Sequence, residues 1–303
     1  MSLPADDSNL AFARALAARR WGTAATFDMR RIGQGSNNTI WRAIGAEDIV
    51  IKLSRPHREG GALGEYRKEA WCAARAREAG VRTPLVLETG TQEGRAFAVL
   101  AFVEGEAPPQ EPAIWRELGD MARRIHGIAT KGWGGRMHAA GCFEESWQAH
   151  LDYNIASLTD DDALIAREVF DASGARRLLG ALNRIRGTDF RFGLCHGDIA
   201  LWNVLAGRDG APWLLDWGCA MAHVVPHYEI NEILRTARPP AAQWDAFLDG
   251  YGISPAAYAA MGPDLKALSA LREVDTLRWA IDKSPGDIAV QTARARAAVA
   301  NLV

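Results

Sequence analysis

Three oxygen-bearing side chains at fixed intervals restrict this chain more than any other feature: Asp198, Asn203 five residues on, and Asp216 eighteen residues after Asp198. They lie in Leu194-Cys-His-Gly-Asp-Ile-Ala-Leu-Trp-Asn-Val-Leu205 and Trp213-Leu-Leu-Asp-Trp-Gly218. The order suits transfer of a phosphoryl group from a nucleotide: one carboxylate accepts a hydroxyl proton, then an amide and a carboxylate hold Mg²⁺. Such hard oxygen donors exclude soft metals, and the sequence has no Cys/His cluster of the kind that binds zinc. A chain of 303 residues, 48% of them hydrophobic, is long enough for two lobes around a cleft and should fold without disulfides.

Upstream, a helix is expected over 9–19, followed by short, partly alternating strands over 25–32, 39–44 and 49–53. A helix over 62–79 closes at Gly80, and two more strands follow at 85–89 and 96–102. The segment 103–109 has linker composition, and the pattern beyond it is mainly helical, interrupted by two short strands near Val204 and Leu214. Ile32-Gly-Gln-Gly-Ser-Asn-Asn38 sits between two strands, where glycines let backbone N–H groups approach phosphates; a plain hairpin turn is the alternative. Lys52 interrupts the apolar run Ile49-Val-Ile-Lys-Leu53. A buried ammonium needs an anionic partner, unless the strand is an edge with its lysine in water. Glu65 and Glu69 share a face of the next helix and are the candidates.

Lys+Arg 35 against Asp+Glu 37 leaves a formal charge of -2, so no global field favours a nucleic-acid or membrane partner. Basic side chains outnumber acidic ones in 1–105 and the reverse holds in 106–303, which would suit a nucleotide triphosphate in one part and a cationic acceptor in the other. Four scattered cysteines without a Cys-x-x-Cys pair read as buried reduced thiols. With an acidic N-terminus and no 18-residue apolar run, the expected location is cytoplasmic.

With His-Gly-Asp in place of His-Arg-Asp and Asp-Trp-Gly in place of Asp-Phe-Gly, the chain resembles the aminoglycoside phosphotransferase family, small-molecule kinases built on the protein-kinase fold. The resemblance implies an α+β, bilobal protein-kinase-like fold. A small β-rich N-terminal lobe with one helix would span 1–105 and bind nucleotide; a larger, mainly helical lobe over 106–303 would hold catalysis and acceptor. It implies Asp198 as base and Asn203 and Asp216 as Mg²⁺ ligands. Gly33, Gly35 and Ser36 would lie along the phosphates, with Lys52 on the α- and β-phosphates oriented by Glu69, Glu65 being the reserve. The adenine would meet backbone groups of Phe102, Val103 and Glu104, a mode that leaves ATP and GTP undistinguished. His196 would support the loop, and His126 would be a satisfied histidine at a helix end.

The chain departs from the family after Asp216, where the usual Gly-Asp-Pro is absent and Glu229 falls about one residue late. His223 and His227 there are expected to be solvent-exposed. The stretches from Trp133 and Phe143 and around Tyr228 loosely resemble the hygromycin-type branch. In a late helix over 267–283, Leu268, Leu271, Val274 and Leu277 form an apolar stripe, while Asp275, Trp279 and Asp282 share another face. With Glu229, these three are the expected acceptor-facing residues. In the related antibiotic kinases such carboxylates bind substrate ammonium groups. The expected partner is a small-molecule hydroxyl acceptor, the chain being a monomer or homodimer; choline, homoserine, methylthioribose or fructosamine kinases and a nucleotide-binding pseudokinase are the alternatives.

Overall fold

The computed structural model describes residues 5–34, 38–55, 59–132, 134, 143–159 and 162–302. Gly35, Ser36, Trp133 and Cys142 lie outside the described residues. In chain order the elements begin with α1 (Ala5–Trp21), β1 (Asp28–Gln34), β2 (Asn38–Ile44), β3 (Ile49–Ser54), α2 (Glu59–Glu78), β4 (Val86–Gln92), β5 (Arg95–Ala101) and β6 (Gly105–Glu106). There follow α3 (Pro112–Ile125), α4 (Phe143–Ala156), α5 (Ala163–Ala166), α6 (Ala172–Arg186), β7 (Arg191–Cys195), β8 (Val204–Gly207), β9 (Pro212–Leu214) and β10 (Met221–Val225). The chain ends in α7 (His227–Thr236), α8 (Ala241–Tyr251), α9 (Pro255–Ala260), α10 (Gly262–Lys283) and α11 (Ile288–Ala300). The contacts divide into two compact units, 1–110 with 200–220, and 111–199 with 221–303. Where a division at 105/106 was expected, the chain divides at 110/111, and the segment carrying Asn203 and Asp216 groups with the first unit.

In the first unit an antiparallel sheet runs β1-β2-β3-β5-β4. Alternation along β3 decides what each face does. Ile49, Ile51 and Leu53 point to one side, where they bury against Phe12, Ala13 and Leu16 of α1. Val50 and Lys52 therefore point to the other, where α2 packs through Ala62 and Tyr66 on Ala96 and Ala98 of β5. The sheet is covered by two helices, α1 and α2, where a lobe with one helix was expected. Lys52 is paired with Ile40 on one side and Ala98 on the other, so it sits on the central strand and the edge-strand alternative is excluded. β1 starts later than expected and carries an irregularity between Arg31 and Gly33 that turns Ile32 outward, half exposed. A separate small sheet, β6-β8-β9, carries the chain past Asn203 to Asp216.

The second unit is mainly helical. α3 buries Leu118, Met121, Ala122 and Ile125, the repeat visible in the sequence. It packs on α8 at a point where both backbones meet: a Cβ on Gly119 would stand 2.1 Å from the Phe247 carbonyl oxygen, and one on Gly250 would stand 1.9 Å from that of Arg116. Only glycines allow this approach. The apolar stripe of α10 is buried as expected. β7 and β10 pair antiparallel, with Met221 opposite Cys195 and His223 opposite Gly193, and this ribbon leads directly into the His196-Gly-Asp198 loop.

Cys72 and Cys195 are buried reduced thiols, but Cys219, expected to be buried too, is exposed. Among the described residues no helix is long and apolar enough to cross a membrane.

Candidate active site

Lys52 is 6% exposed. Its Nζ donates to Glu69 Oε2 at 2.7 Å and to Asp216 Oδ1 at 3.2 Å. Burial alone would push the ammonium down, but the two carboxylates outweigh it and hold its pKa above the ordinary value. Glu69 is pulled both ways: burial and Asp216 push its carboxyl up while Lys52 draws it down. Two carboxylates share one cation, so the lysine is the firmly charged member. Glu65 turns away and pairs with Lys68 at 3.1 Å. Lys68, which the sequence reading passed over, also donates to the Gly218 carbonyl at 2.7 Å, tying α2 to the turn behind Asp216. Trp217 adds a second tie, its indole N–H donating to Thr83 Oγ1 at 2.8 Å. Asp216 itself has φ 53, a left-handed conformation uncommon for a non-glycine residue. The tied turn fixes its carboxylate toward Lys52.

These groups open onto a cavity of about 400 Å³ within the first unit. Val50, Leu100 and Leu205 give it apolar walls, and Phe102, Val103 and Asn203 also line it. Two large side chains stay exposed at its rim, Ile32 at 50% and Trp202 at 61%. An apolar cavity of this size with a few converging polar groups has the character of a small-molecule site. Gly33 lies on β1 beside it, opposite Ile40. The Phe102 N–H already donates to the Asp48 carbonyl at 3.0 Å, so it has no hydrogen left for a purine. Glu104 does not line the cavity; its side chain pairs with Arg208. Asn203 is buried, and its carbonyl accepts from the Leu215 N–H at 2.8 Å, which couples the positions of the two oxygen donors, Asn203 and Asp216.

In the second unit Asp198 is half-buried, on a loop whose backbone is clamped from below. Glu229, expected near the acceptor, is instead fully buried. Its Oε2 accepts from the His196 N–H at 2.7 Å, and its Oε1 accepts from the Gly197 N–H at 3.0 Å. No bound molecule could reach it; it fixes the loop. Gly197, at φ 77, allows the turn those bonds require. His196 Nδ1 accepts from the Asp198 N–H at 3.3 Å. His126, at the end of α3, meets the Tyr251 hydroxyl at 2.9 Å and places Nε2 at 3.6 Å from Glu229. Burial alone would raise the Glu229 carboxyl, but the nearby His126 and His196 rings and the donated backbone hydrogens hold it below its ordinary value.

A depressed carboxylate contributes stability that is present above 4.5, the ordinary value, and is lost as pH falls through the lower folded one. Glu229→Gln replaces one acceptor oxygen with a donor facing the loop and should cost about 2–3 kcal/mol at neutral pH, with a lower kcat. Thermal unfolding against pH checks this: the gap between the proteins should close below the titration of Glu229. A gap constant down to strong acid would contradict the clamp.

His223 and His227 are not solvent-exposed as expected. His223 stacks on Tyr228 with ring centroids 4.3 Å apart, and burial pushes its pKa down to about 3. The strand alternation of β10 brings that ring inside, which the polar look of the segment conceals. Of the expected acceptor residues on α10, Asp275 lines a second cavity and pairs with His150 at 2.8 Å. Trp279 is exposed at 55%, Asp282 is exposed as well, and neither lines it. Trp202, Lys68 and His150 were missed: the first reads as core in a loop rich in apolar residues, and the others show their role only through partners distant in sequence.

An antiparallel sheet with a lysine held between carboxylates, and a helical part bearing the His-Gly-Asp loop, define a kinase-like small-molecule phosphotransferase. The model of the phosphotransferase enzyme family, APH, matches residues 28–263, and the chain belongs to that family. A thermostable mutant of aminoglycoside phosphotransferase APH(4)-Ia, solved with AMP-PNP and hygromycin B, superposes with TM-score 0.64 at 19% identity, over 94% of this chain and 97% of that one. A putative fructosamine-3-kinase from Haemophilus somnus 129PT gives 0.60 at 12% identity, over 95% and 96%. APH(2")-IIia, solved with GDP and kanamycin, gives 0.60 at 15% identity, over 96% and 99%. At these identities the similarity is one of fold. No curated protein sequence matches significantly.

Proposed function

We propose that the enzyme transfers the γ-phosphoryl group of ATP or GTP to a hydroxyl of a small, polar, amine-bearing molecule such as an aminoglycoside. The observation that carries this reading is the Lys52 ammonium between Glu69 and Asp216, at the wall of an apolar cavity shared with Asn203. Lys52 binds the α- and β-phosphates, Glu69 holds it in place, and the purine lies against Val50, Leu100 and Leu205 with Val103 offering backbone groups. Asn203 and Asp216 supply hard oxygen donors that fit Mg²⁺. When bound, the ion bridges phosphate oxygens and offsets their charge. Asp198 accepts the acceptor's hydroxyl proton, and its contribution is chiefly one of position.

The structural neighbours solved with AMP-PNP and with GDP support a nucleotide as donor without deciding which. The retained Lys52, Asp198, Asn203 and Asp216 weigh against a pseudokinase. A metabolite kinase of the same fold is the second reading, favoured by the likeness to a putative fructosamine kinase. The test is ADP release across aminoglycosides, macrolides, choline and amino sugars, beside calorimetric titration of ATP and GTP with and without Mg²⁺. The expected result is Mg²⁺-dependent nucleotide binding and acceptor-stimulated ADP release. Absence of nucleotide binding would overturn the proposal, and turnover of a metabolite but no antibiotic would select the second reading.

A further inference from the structure

The second unit holds a cavity of about 200 Å³ between β10, α7 and α10. It adjoins the catalytic loop by two routes. Met221 on its wall pairs with Cys195, three residues before Asp198. Tyr228, also on its wall, precedes Glu229, whose carboxylate holds the loop N–H groups. Three residues of chain span at most about 10 Å, so a molecule seated there lies within reach of the base.

The charges facing this cavity are few. Asp275 offers one carboxylate, already bonded to His150 Nε2 at 2.8 Å, with side chains 30% and 18% exposed. Arg272 offers a guanidinium, anchored to Glu232 at 2.5 Å and lying 3.5 Å from Glu273. His223 adds none: its Nδ1 accepts from the Val224 N–H at 2.8 Å, and its burial keeps the ring neutral. Leu268, Leu271 and the His223–Tyr228 stack make the remaining surface largely apolar. A polycation would find one carboxylate, and every further ammonium would meet apolar wall or Arg272, a desolvation left uncompensated. The volume is below the range of drug-sized pockets and takes a single ring.

Building on the phosphotransferase reading, we infer that this cavity is the acceptor's head-group site, taking one hydroxylated ring with a single amine that displaces His150 from Asp275. Rings bearing several amines are selected against. His150 is thus a resident counter-ion for Asp275, and the two side chains have opposite effects on affinity.

The experiment uses the full-length enzyme with Mg²⁺ and AMP-PNP, and measures binding of glucosamine, galactosamine and 1-amino-1-deoxyfructose against kanamycin by calorimetry and by NMR of the histidine rings. At least one monoamino sugar should bind more tightly than kanamycin and shift the His150 signals. Asp275→Asn should weaken that sugar about tenfold, His150→Ala should tighten it, and AMP-PNP affinity should stay unchanged in both. A merely structural pair would move both variants the same way, and that result overturns the inference. Kanamycin binding as tightly as every monoamino sugar, or no binding by any of them, overturns it too. Loss of AMP-PNP binding in the parent enzyme would instead strike the phosphotransferase reading itself.

Discussion

Asp198→Ala should lower kcat by about 10²–10⁴-fold, the range for a positioned proton acceptor, while the nucleotide dissociation constant stays within about threefold. The separation is expected because the nucleotide-contacting groups, Lys52, Glu69, Asn203 and Asp216, belong to the unit formed by 1–110 and 200–220, whereas Asp198 belongs to the other. Nothing on the cavity wall changes when the Asp198 carboxylate goes. The fold should also hold, because the loop is kept by backbone N–H groups donating to Glu229, not by the Asp198 side chain. Calorimetry with AMP-PNP, single-turnover ADP formation and a melting curve test each part. Asp198→Asn, equal in shape, separates the loss of a proton acceptor from the loss of volume. Retention of full turnover by either variant would remove Asp198 from the reaction and leave no candidate base.

How far the site could be read in advance depends on how local each signal is. Lys52 was legible because a cation inside an apolar strand has few explanations, and the alternation of β3 then settles which face it shares with Val50. The choice between Glu65 and Glu69 needed packing: one helical turn separates them, and only the seating of α2 on Ala96 and Ala98 directs Glu69 toward the lysine. Glu229 was placed at the acceptor because its neighbours in sequence are polar and lie near the metal-binding turn. Its real environment is set by β7 pairing with β10, a non-local ladder that turns the start of α7 under the catalytic loop. The same ladder buries His223. The covering role of α1 was equally hidden, since a helix of mixed composition gives no strong periodic pattern, and only the unsatisfied apolar face of Ile49, Ile51 and Leu53 demands it.

Lys52→Met should reduce kcat/KM by about 10²–10³-fold, the loss typical of removing one preorganised charge from a transferring group. Its effect on stability has a definite pH signature. In the parent enzyme the raised Lys52 contributes stability fully present below 10.5, the ordinary lysine value, and lost only as pH rises through the higher folded value, so the pair persists across the neutral range. Without the ammonium, Glu69 keeps its burial and the Asp216 charge but loses the partner that lowered its pKa, which must rise further. A carboxyl raised in the folded state favours folding while protonated, and that advantage disappears as pH rises through its titration. Lys52→Met should therefore melt progressively earlier from acid toward neutral pH, with a cost of up to about 3–5 kcal/mol for breaking a buried pair. Adding Glu69→Gln should remove most of that pH dependence and restore much of the stability, yet recover none of the activity, because the double variant still lacks the cation that binds phosphate. Melting curves against pH for both variants, beside kcat/KM, make the distinction. Recovery of activity together with stability would mean that Lys52 only neutralises Glu69 and that the phosphate contact lies elsewhere.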